Sequence, residues 1–434
     1  MYLTTTVIQS EQHHEVDLST LRALCYQSAR LYNRSLYNVR QHFFDTSKYL
    51  PYGSNWKQTK DSEDYQLLMS DISQQIMRLV DRDMQSFFKL LVLKKSNKYS
   101  AQVRLPRYKD KEGLMVCPVL GRSCRIQKDG TVNIGLTTEF REKYNVDKRY
   151  IKFTIPKNLL GVEEFKEIRI IPQYGGKQFK IEYIYEQKQL PKQAQGDGYM
   201  SVDLGVENLA TCTVFSNGGS CQFIIDGRRL KNINHYYNKT VGKLKSEYSK
   251  NASIKSPNTK RMLHLMNGRE NRINDYFNKV AKMLVDECVE RGVTHLVIGY
   301  NKEQKQEVNI GKGNNQNLCY IPHYKFRQKL MGKCAMHGIE YISQEESYTS
   351  KASCLDLDDI PVYGDDTEHV FSGKRVHRGL YKSSEGLLLN ADVNGSVNIL
   401  RKYFKERKLD WAFQESVRAL VNVPCLRLSP FKSR

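Results

Sequence analysis

Two aspartates stand where a carboxylate can do chemistry. Asp203 lies in Ser201-Val202-Asp203-Leu204-Gly205. An acid flanked by Val and Leu in a strand-forming run is costly to desolvate unless a cation or a donor meets it. Asp392 lies in Asn390-Ala391-Asp392-Val393-Asn394-Gly395-Ser396-Val397-Asn398. Asn390, Asn394 and Asn398 recur at four-residue spacing, which on a helix gives one polar face that could approach a phosphate. Brought into one cleft, the two carboxylates suit divalent cations that prefer hard oxygen ligands. Two such ions ~4 Å apart stabilise the attacking and leaving oxygens in phosphodiester hydrolysis. Each aspartate also has a plainer reading, as a strand-end acid in the turn before Gly205 and as a helix-start acid satisfying free amides. The order of the surrounding elements separates the two.

Strands are expected over 200–204, 210–215 and 221–225, with Gly218-Gly219 marking the second turn. A long helical region over 229–291, interrupted around 253–258, follows. Its second half is amphipathic through Ile273, Phe277, Val280, Ala281, Leu284, Val285 and Cys288. Then come a strand at 294–299, a polar loop, a helix at 322–337, a strand at 339–344, a glycine- and acid-rich insertion, and a final helix starting near Asp392. This α/β order is that of the ribonuclease-H-like fold: three antiparallel strands first, then two strands joined by helical crossovers and parallel to the first. Such a fold puts an acid on the central first strand and another on the final helix, so Asp203 and Asp392 are assigned as catalytic metal ligands.

The N-terminal half is organised differently. Residues 1–10 read as one strand, and 16–45 as a helix with Leu18, Leu21, Leu24, Cys25, Ala29, Tyr32 and Leu36 on one side. Arg30, Arg34 and Tyr37 lie on its other surface and are candidate nucleic-acid contacts. A second helix is expected over 62–95. The basic, proline-punctuated passage 96–110 adds Arg104, Arg107, Tyr108 and Lys109 as candidate backbone contacts. Residues 114–190 alternate like the short strands of a small barrel, and 186–198 lose the apolar pattern as a linker would. The chain has 68 Lys+Arg against 47 Asp+Glu, a formal charge of +21, and 27 tyrosines, which favours a polyanionic partner. Its ten cysteines are scattered without a C-x-x-C pair and are expected to be reduced thiols. No apolar run approaches the ~18 residues of a membrane span, and the N-terminus lacks a signal-peptide pattern. A cytoplasmic protein with no membrane partner is expected.

Several blocks together resemble the TnpB (OrfB) proteins of insertion sequences. They are Val202-Asp203-Leu204-Gly205-Val206, Asn208-Leu209-Ala210, Gly311-Lys312 with Asn314-Asn315-Gln316, Tyr348-Thr349-Ser350-Lys351, Gly373-Lys374-Arg375 with Arg378-Gly379-Leu380-Tyr381, and Asn390-Ala391-Asp392-Val393-Asn394-Gly395. The resemblance is strong over 199–403 and weaker before it. It implies a wedge-type β-barrel split between 1–12 and 96–190, and a helical recognition lobe inserted at 13–95. It further implies a RuvC nuclease domain over 199–405 with an insertion at about 349–389, then a C-terminal tail over 406–434. The implied activity is Mg2+-dependent (or Mn2+-dependent), two-ion cleavage of double-stranded DNA beside a short adjacent motif. The guide is an RNA from the element itself, on one monomer, in a bacterial or archaeal cytoplasm at the nucleoid. Lys351, Lys374, Arg375 and Arg378 are the implied nucleic-acid contacts of this half.

The sequence departs from that family twice. Most members carry a zinc ribbon with two C-x-x-C pairs before the last Asp. Here Cys354 stands alone with His369 and His377, so no structural zinc is expected. The family's Glu on the fourth strand is replaced by Gly299. Glu346, just beyond the fifth strand, is expected to supply the missing carboxylate by leaning across that glycine. Neighbouring Glu345 is the second candidate, and Glu303 and Glu307 are less rigidly placed. Two other readings stay open: a nuclease-dead, RNA-guided DNA-binding repressor, and a strand-transferring transposase.

Overall fold

The computed structural model describes residues 2–10, 15–162, 164–186, 196–250, 259–301, 321–362, 369–377 and 379–431. The chain divides into two units at Gln187/Lys188, inside the expected linker.

The first unit starts with β1 (Tyr2–Ser10), then α1 (Leu18–Thr46), α2 (Tyr52–Thr59), α3 (Glu63–Gln66) and α4 (Ser70–Lys95). β2 (Cys117–Leu120), β3 (Cys124–Ile126), β4 (Thr131–Gly135), α5 (Thr138–Tyr144), β5 (Tyr150–Thr154), β6 (Phe165–Gln173) and β7 (Gln178–Glu186) follow. α1 begins where Asp17 accepts from the Ser19 amide at 3.1 Å, and stops where Ser47 turns left-handed at φ 55°.

Among the described residues the strands pair as β1-β7-β6-β2 and as β3-β4-β5. Alternation places short strands here but does not say which edges join. The helices pack against these strands. Leu21, Leu24 and Ile76 share one apolar cluster with Val119, Ile168 and Ile181 of the strands. The Met115 amide bonds the Cys25 carbonyl of α1 at 3.0 Å.

The second unit opens with β8 (Gly198–Leu204), β9 (Asn208–Ser216) and β10 (Gly219–Asp226). α6 (Arg228–Ser249), α7 (Lys260–Glu290), β11 (Val293–Tyr300), α8 (His323–Met336) and β12 (Glu340–Glu345) follow. The insertion supplies β13 (Lys374–His377), β14 (Leu380–Lys382) and β15 (Leu388–Asn390), a small antiparallel sheet. The chain then forms α9 (Ala391–Glu406), α10 (Gln414–Ala419) and β16 (Leu426–Leu428). The main sheet runs β12-β11-β8-β9-β10-β16. β8, β9 and β10 are antiparallel, while β11 and β12 run parallel to β8, as the sequence order implied.

Strand alternation gives this sheet two apolar faces. Met200, Val202, Leu296 and Ile298 pack against α7 and α8 through Phe277, Leu284 and Phe326. Val297 and Ile342 pack against α9 through Val393, Val397 and Leu400. Asp203, two residues on from Ser201, faces α9. The 406–434 segment is more than a tail. β16 adds a parallel edge strand to β10, and Val417 and Leu420 are buried in the α9-side cluster. It was missed because three-residue strands and six-residue helices leave almost no periodicity to read.

Candidate active site

Asp203 ends the central strand under the first turns of α9. Ser201 and Ser396 hydroxyls meet at 2.9 Å, and Ser396 also donates to the Ser201 carbonyl at 3.0 Å. Gly395 completes this close approach. A Cβ there would stand 2.7 Å from Asp203 Oδ2, so any side chain would displace the carboxylate. Burial, then repulsion from Glu346 and Asp392, pushes Asp203 well above the usual carboxylate range, against the pull of Arg375.

The two glutamates after β12 part company. Glu345 turns to α9: it binds the ammonium of Lys402 and accepts from the Ser347 amide at 2.6 Å. Lys402 is 1% exposed and also donates to the Pro361 carbonyl at 2.9 Å. Partial burial raises Glu345, but the bonds from Lys402 and Ser347 outweigh it and hold the group below its ordinary value. Glu346 instead extends its carboxylate over Gly299. A Cβ at 299 would overlap Glu346 Oε2 and crowd Ile399 Cδ1. Burial, then the charge of Glu345, raises Glu346 to about 7, with Arg327 and Lys402 opposing. The lean across the missing side chain is the geometry expected from the sequence.

Asp392 sits in the first turn of α9. Asn390 caps that turn, accepting from the Asp392 amide at 2.9 Å and the Val393 amide at 3.3 Å. Asp392 Oδ2 accepts from Asn208 Nδ2 at 2.7 Å, and Oδ1 faces an Arg375 guanidinium nitrogen at 3.2 Å. Antiparallel pairing of β13 with β14, and of β14 with β15, carries Arg375 to that place. Asp203, Asn208, Arg228, Arg375, Asp392 and Arg427 line one open cleft of about 570 Å³. The cleft therefore combines carboxylates with arginines, suited to a metal ion and a phosphate together.

Among the described residues no three His, Cys, Asp or Glu side chains converge as a ready-made metal cage. The donor chemistry nevertheless fits a divalent cation. Two glycines, 299 and 395, leave room for carboxylates, and the repulsion that Glu346 and Asp392 exert on Asp203, which Arg375 only partly offsets, is what a cation would relieve.

The asparagine face of α9 does something other than approach a phosphate. Asn394 and Asn398 are fully buried. Asn394 Nδ2 donates to the Ala352 carbonyl at 2.8 Å and its Oδ1 accepts from the Cys354 amide at 2.9 Å. Asn398 Nδ2 donates to the carbonyls of Thr349 at 2.9 Å and Ala352 at 2.6 Å. They staple the turn after Glu346 to the helix, because that irregular backbone has no ladder to satisfy it. Tyr348, at φ 65°, sits in this turn.

Lys351 is exposed, its ammonium 5.7 Å from the Tyr348 ring centroid, and Lys374 is exposed on β13. Arg378 and the 311–316 block lie outside the described residues. Around Cys354 the insertion is held by polar bonds and packing. Cys354 is buried, its thiol pushed up to about 12 by burial. Asp358 accepts from the Ser353 amide at 2.7 Å and the Ser372 hydroxyl at 2.6 Å. His369 contacts the Tyr348 ring, and His377 is exposed.

In the first unit the basic passage and α1 come together. Asn33 exchanges two bonds with the Lys109 backbone at 2.9 and 2.7 Å, and Arg30 donates to the Asp110 carbonyl at 2.5 Å. Lys109 sits over Tyr32, and Arg40 over Tyr108. Arg34 pairs with Asp64 at 2.8 Å. Arg104, Arg107, Tyr37 and Tyr108 are exposed. Of the predicted contacts here, Arg30, Arg34, Tyr108 and Lys109 thus make local structural contacts. Sequence reasoning missed Asn208 and Arg427 as parts of the cleft; Asn208 stood in a quoted block, while Arg427 carried no signal.

Residues 181–305 match the family OrfB_IS605, described as a probable transposase, and residues 323–399 match the Cas12f1-like TNB domain. The TnpB-like protein ORF457 of Acidianus two-tailed virus is 23% identical over 421 residues, spanning 88% of this chain and 83% of the viral protein. Among solved structures, the cryo-EM complex of Cas12f1 with single-guide RNA and target DNA is similar at a TM-score of 0.56. Its identity is 16%, over 88% of this chain and 82% of that one, which bears on the fold alone. Among the described residues no helix is long and apolar enough to cross a membrane.

Proposed function

From the kinship of this chain with the TnpB (OrfB) family and its resemblance to compact type V effectors, we propose that it is an RNA-guided DNA endonuclease. Its second unit acts as a RuvC-type nuclease domain. Asp203, Glu346 and Asp392 are the catalytic carboxylates and would hold two Mg2+ or Mn2+ ions. Bound there, the ions supply Lewis acidity to the scissile phosphate and lower the pKa of the attacking water. Arg375 offers donors to the phosphate, and Gly299 and Gly395 leave room for the carboxylates beside the cations. A guide transcribed from the element itself supplies sequence by base pairing. The protein grips backbone through Arg34, Tyr37, Arg104, Arg107, Tyr108, Lys351, Lys374 and Arg378, with Arg30 and Lys109 beside them, and reads a short motif beside the target.

The observation that carries this reading is the set of acids from three elements: Asp203 at the end of β8, Glu346 over Gly299 of β11, and Asp392 at the start of α9. The absence of the family's Glu from position 299 favours the second reading, a repressor that binds guided DNA without cutting it. The experiment is to copurify and sequence the RNA, then present a matching duplex with Mg2+. Cleavage supports the nuclease. Guided binding without cleavage supports the repressor. Absence of a discrete RNA overturns both.

A further inference from the structure

We propose that Arg427, on the C-terminal strand β16, is a positioning residue for Asp392 and acts through Asn208; this rests on the nuclease reading above. The contacts form a short relay. Arg427 Nη1 donates to Asn208 Oδ1 at 3.1 Å, and Asn208 Nδ2 donates to Asp392 Oδ2 at 2.7 Å. A guanidinium only donates and an ionised carboxylate only accepts. The amide between them therefore has one orientation that serves both: carbonyl toward Arg427, NH2 toward Asp392. Arg427 removes the other orientation, in which two oxygens would face each other at the metal-binding acid.

The fold builds this relay from elements far apart in sequence. Asn208 opens β9 and stands opposite Asp226, beyond a shift in the β9–β10 register. β16 runs parallel to β10 on its outer side, with Arg427 opposite Ile224. Arg427 and Asn208 line the same cleft as Asp203 and Asp392. On the other side, Arg375 faces Asp392 Oδ1. The carboxylate is thus held by both oxygens, and the Asn208 side of that grip depends on a strand outside the motif-bearing region. It gives the 406–434 segment a role in the chemistry as well as in packing.

The test uses the full chain, freed of nucleic acid at high salt, as Arg427→Ala, Arg427→Lys, Asn208→Ala and the double variant R427A/N208A. Mn2+ binding is read by electron paramagnetic resonance of the free ion, and guided cleavage is titrated with Mn2+ in parallel. Removing an outer partner of a metal ligand typically weakens metal affinity ~10–100-fold. Arg427→Ala is expected to weaken Mn2+ by about tenfold or more, and to raise the Mn2+ needed for half-maximal cleavage to match. Asn208→Ala should do the same, and the double variant should be no worse than the worse single. Arg427→Lys should recover part of the loss.

Additive losses in the double variant overturn the relay, whatever happens to the melting temperature. So does normal Mn2+ affinity in Arg427→Ala. If the unmutated chain binds no Mn2+, the metal reading of the site falls and the relay with it. If it binds Mn2+ and the variants match it, the relay alone fails.

Discussion

Gly299 and Glu346 are two halves of one arrangement. A side chain at 299 would collide with the Glu346 carboxylate and with Ile399. Gly299→Ala is therefore expected to displace Glu346 and abolish most guided cleavage, while overpacking costs about 1–3 kcal/mol of stability. Cleavage and denaturant unfolding measured on the same sample check both. Glu345 behaves oppositely, because its partner Lys402 is 1% exposed. Glu345→Gln leaves that ammonium with only carbonyl partners. The full cost of breaking a buried pair is ~3–5 kcal/mol; Glu345 is about a third exposed, so about 1–3 kcal/mol is expected. Unfolding midpoints should separate the two glutamates: Glu345→Gln destabilises, Glu346→Gln does not. The sequence favours Glu346 over its neighbour Glu345, since it lies nearer the Tyr348-Thr349-Ser350-Lys351 block. The structure separates them twice, by Glu346 over Gly299 and by Glu345 on the buried Lys402, and a lysine 57 positions from Glu345 carries no local sign of that pairing.

The helix α9 joins the site to the insertion. Asn394 and Asn398 each satisfy backbone of the turn after Glu346. Asn398→Ala is expected to cost about 1–3 kcal/mol, since it strips partners from buried carbonyls. Hydrogen exchange should rise at residues 349–354. Exchange unchanged there would mean the turn holds itself. The insertion around Cys354 is expected to keep its fold without zinc. Metal analysis should find substoichiometric zinc, and a zinc-selective chelator should leave unfolding curves unchanged. One tightly held zinc per chain would contradict this.

The order of strands in the second unit was legible because each long element has a clean period. Its β8–β12 pairings follow the rules for hairpins and for parallel strands joined by helical crossovers. The asparagine spacing was legible as one face, but spacing cannot say whether a polar face meets solvent, a ligand or backbone. β13–β15 and β16 were not legible, since three or four residues do not define a period. In the first unit, alternation marks the short strands but not their partners; they pair as β1-β7-β6-β2 and β3-β4-β5 and share one apolar cluster with the helices.

At the scale of the whole chain, the charge of +21 sets the terms of binding. Affinity for nucleic acid should fall steeply with salt, each neutralised phosphate adding ~0.9 to the magnitude of the log–log slope for duplex DNA. A flat response, measured by filter binding over a salt series, would remove the electrostatic argument. Charge and the resemblance to the TnpB (OrfB) proteins bear on binding, whereas the proposed cutting rests on three carboxylates. The most direct measurement is therefore guided cleavage with Mg2+ by the unmutated chain, Asp203→Asn, Glu345→Gln and Glu346→Gln, with target binding measured beside it. Cutting is expected from the unmutated chain and from Glu345→Gln, none from Asp203→Asn or Glu346→Gln, and guided binding from all four. Full cutting by Glu346→Gln would contradict this.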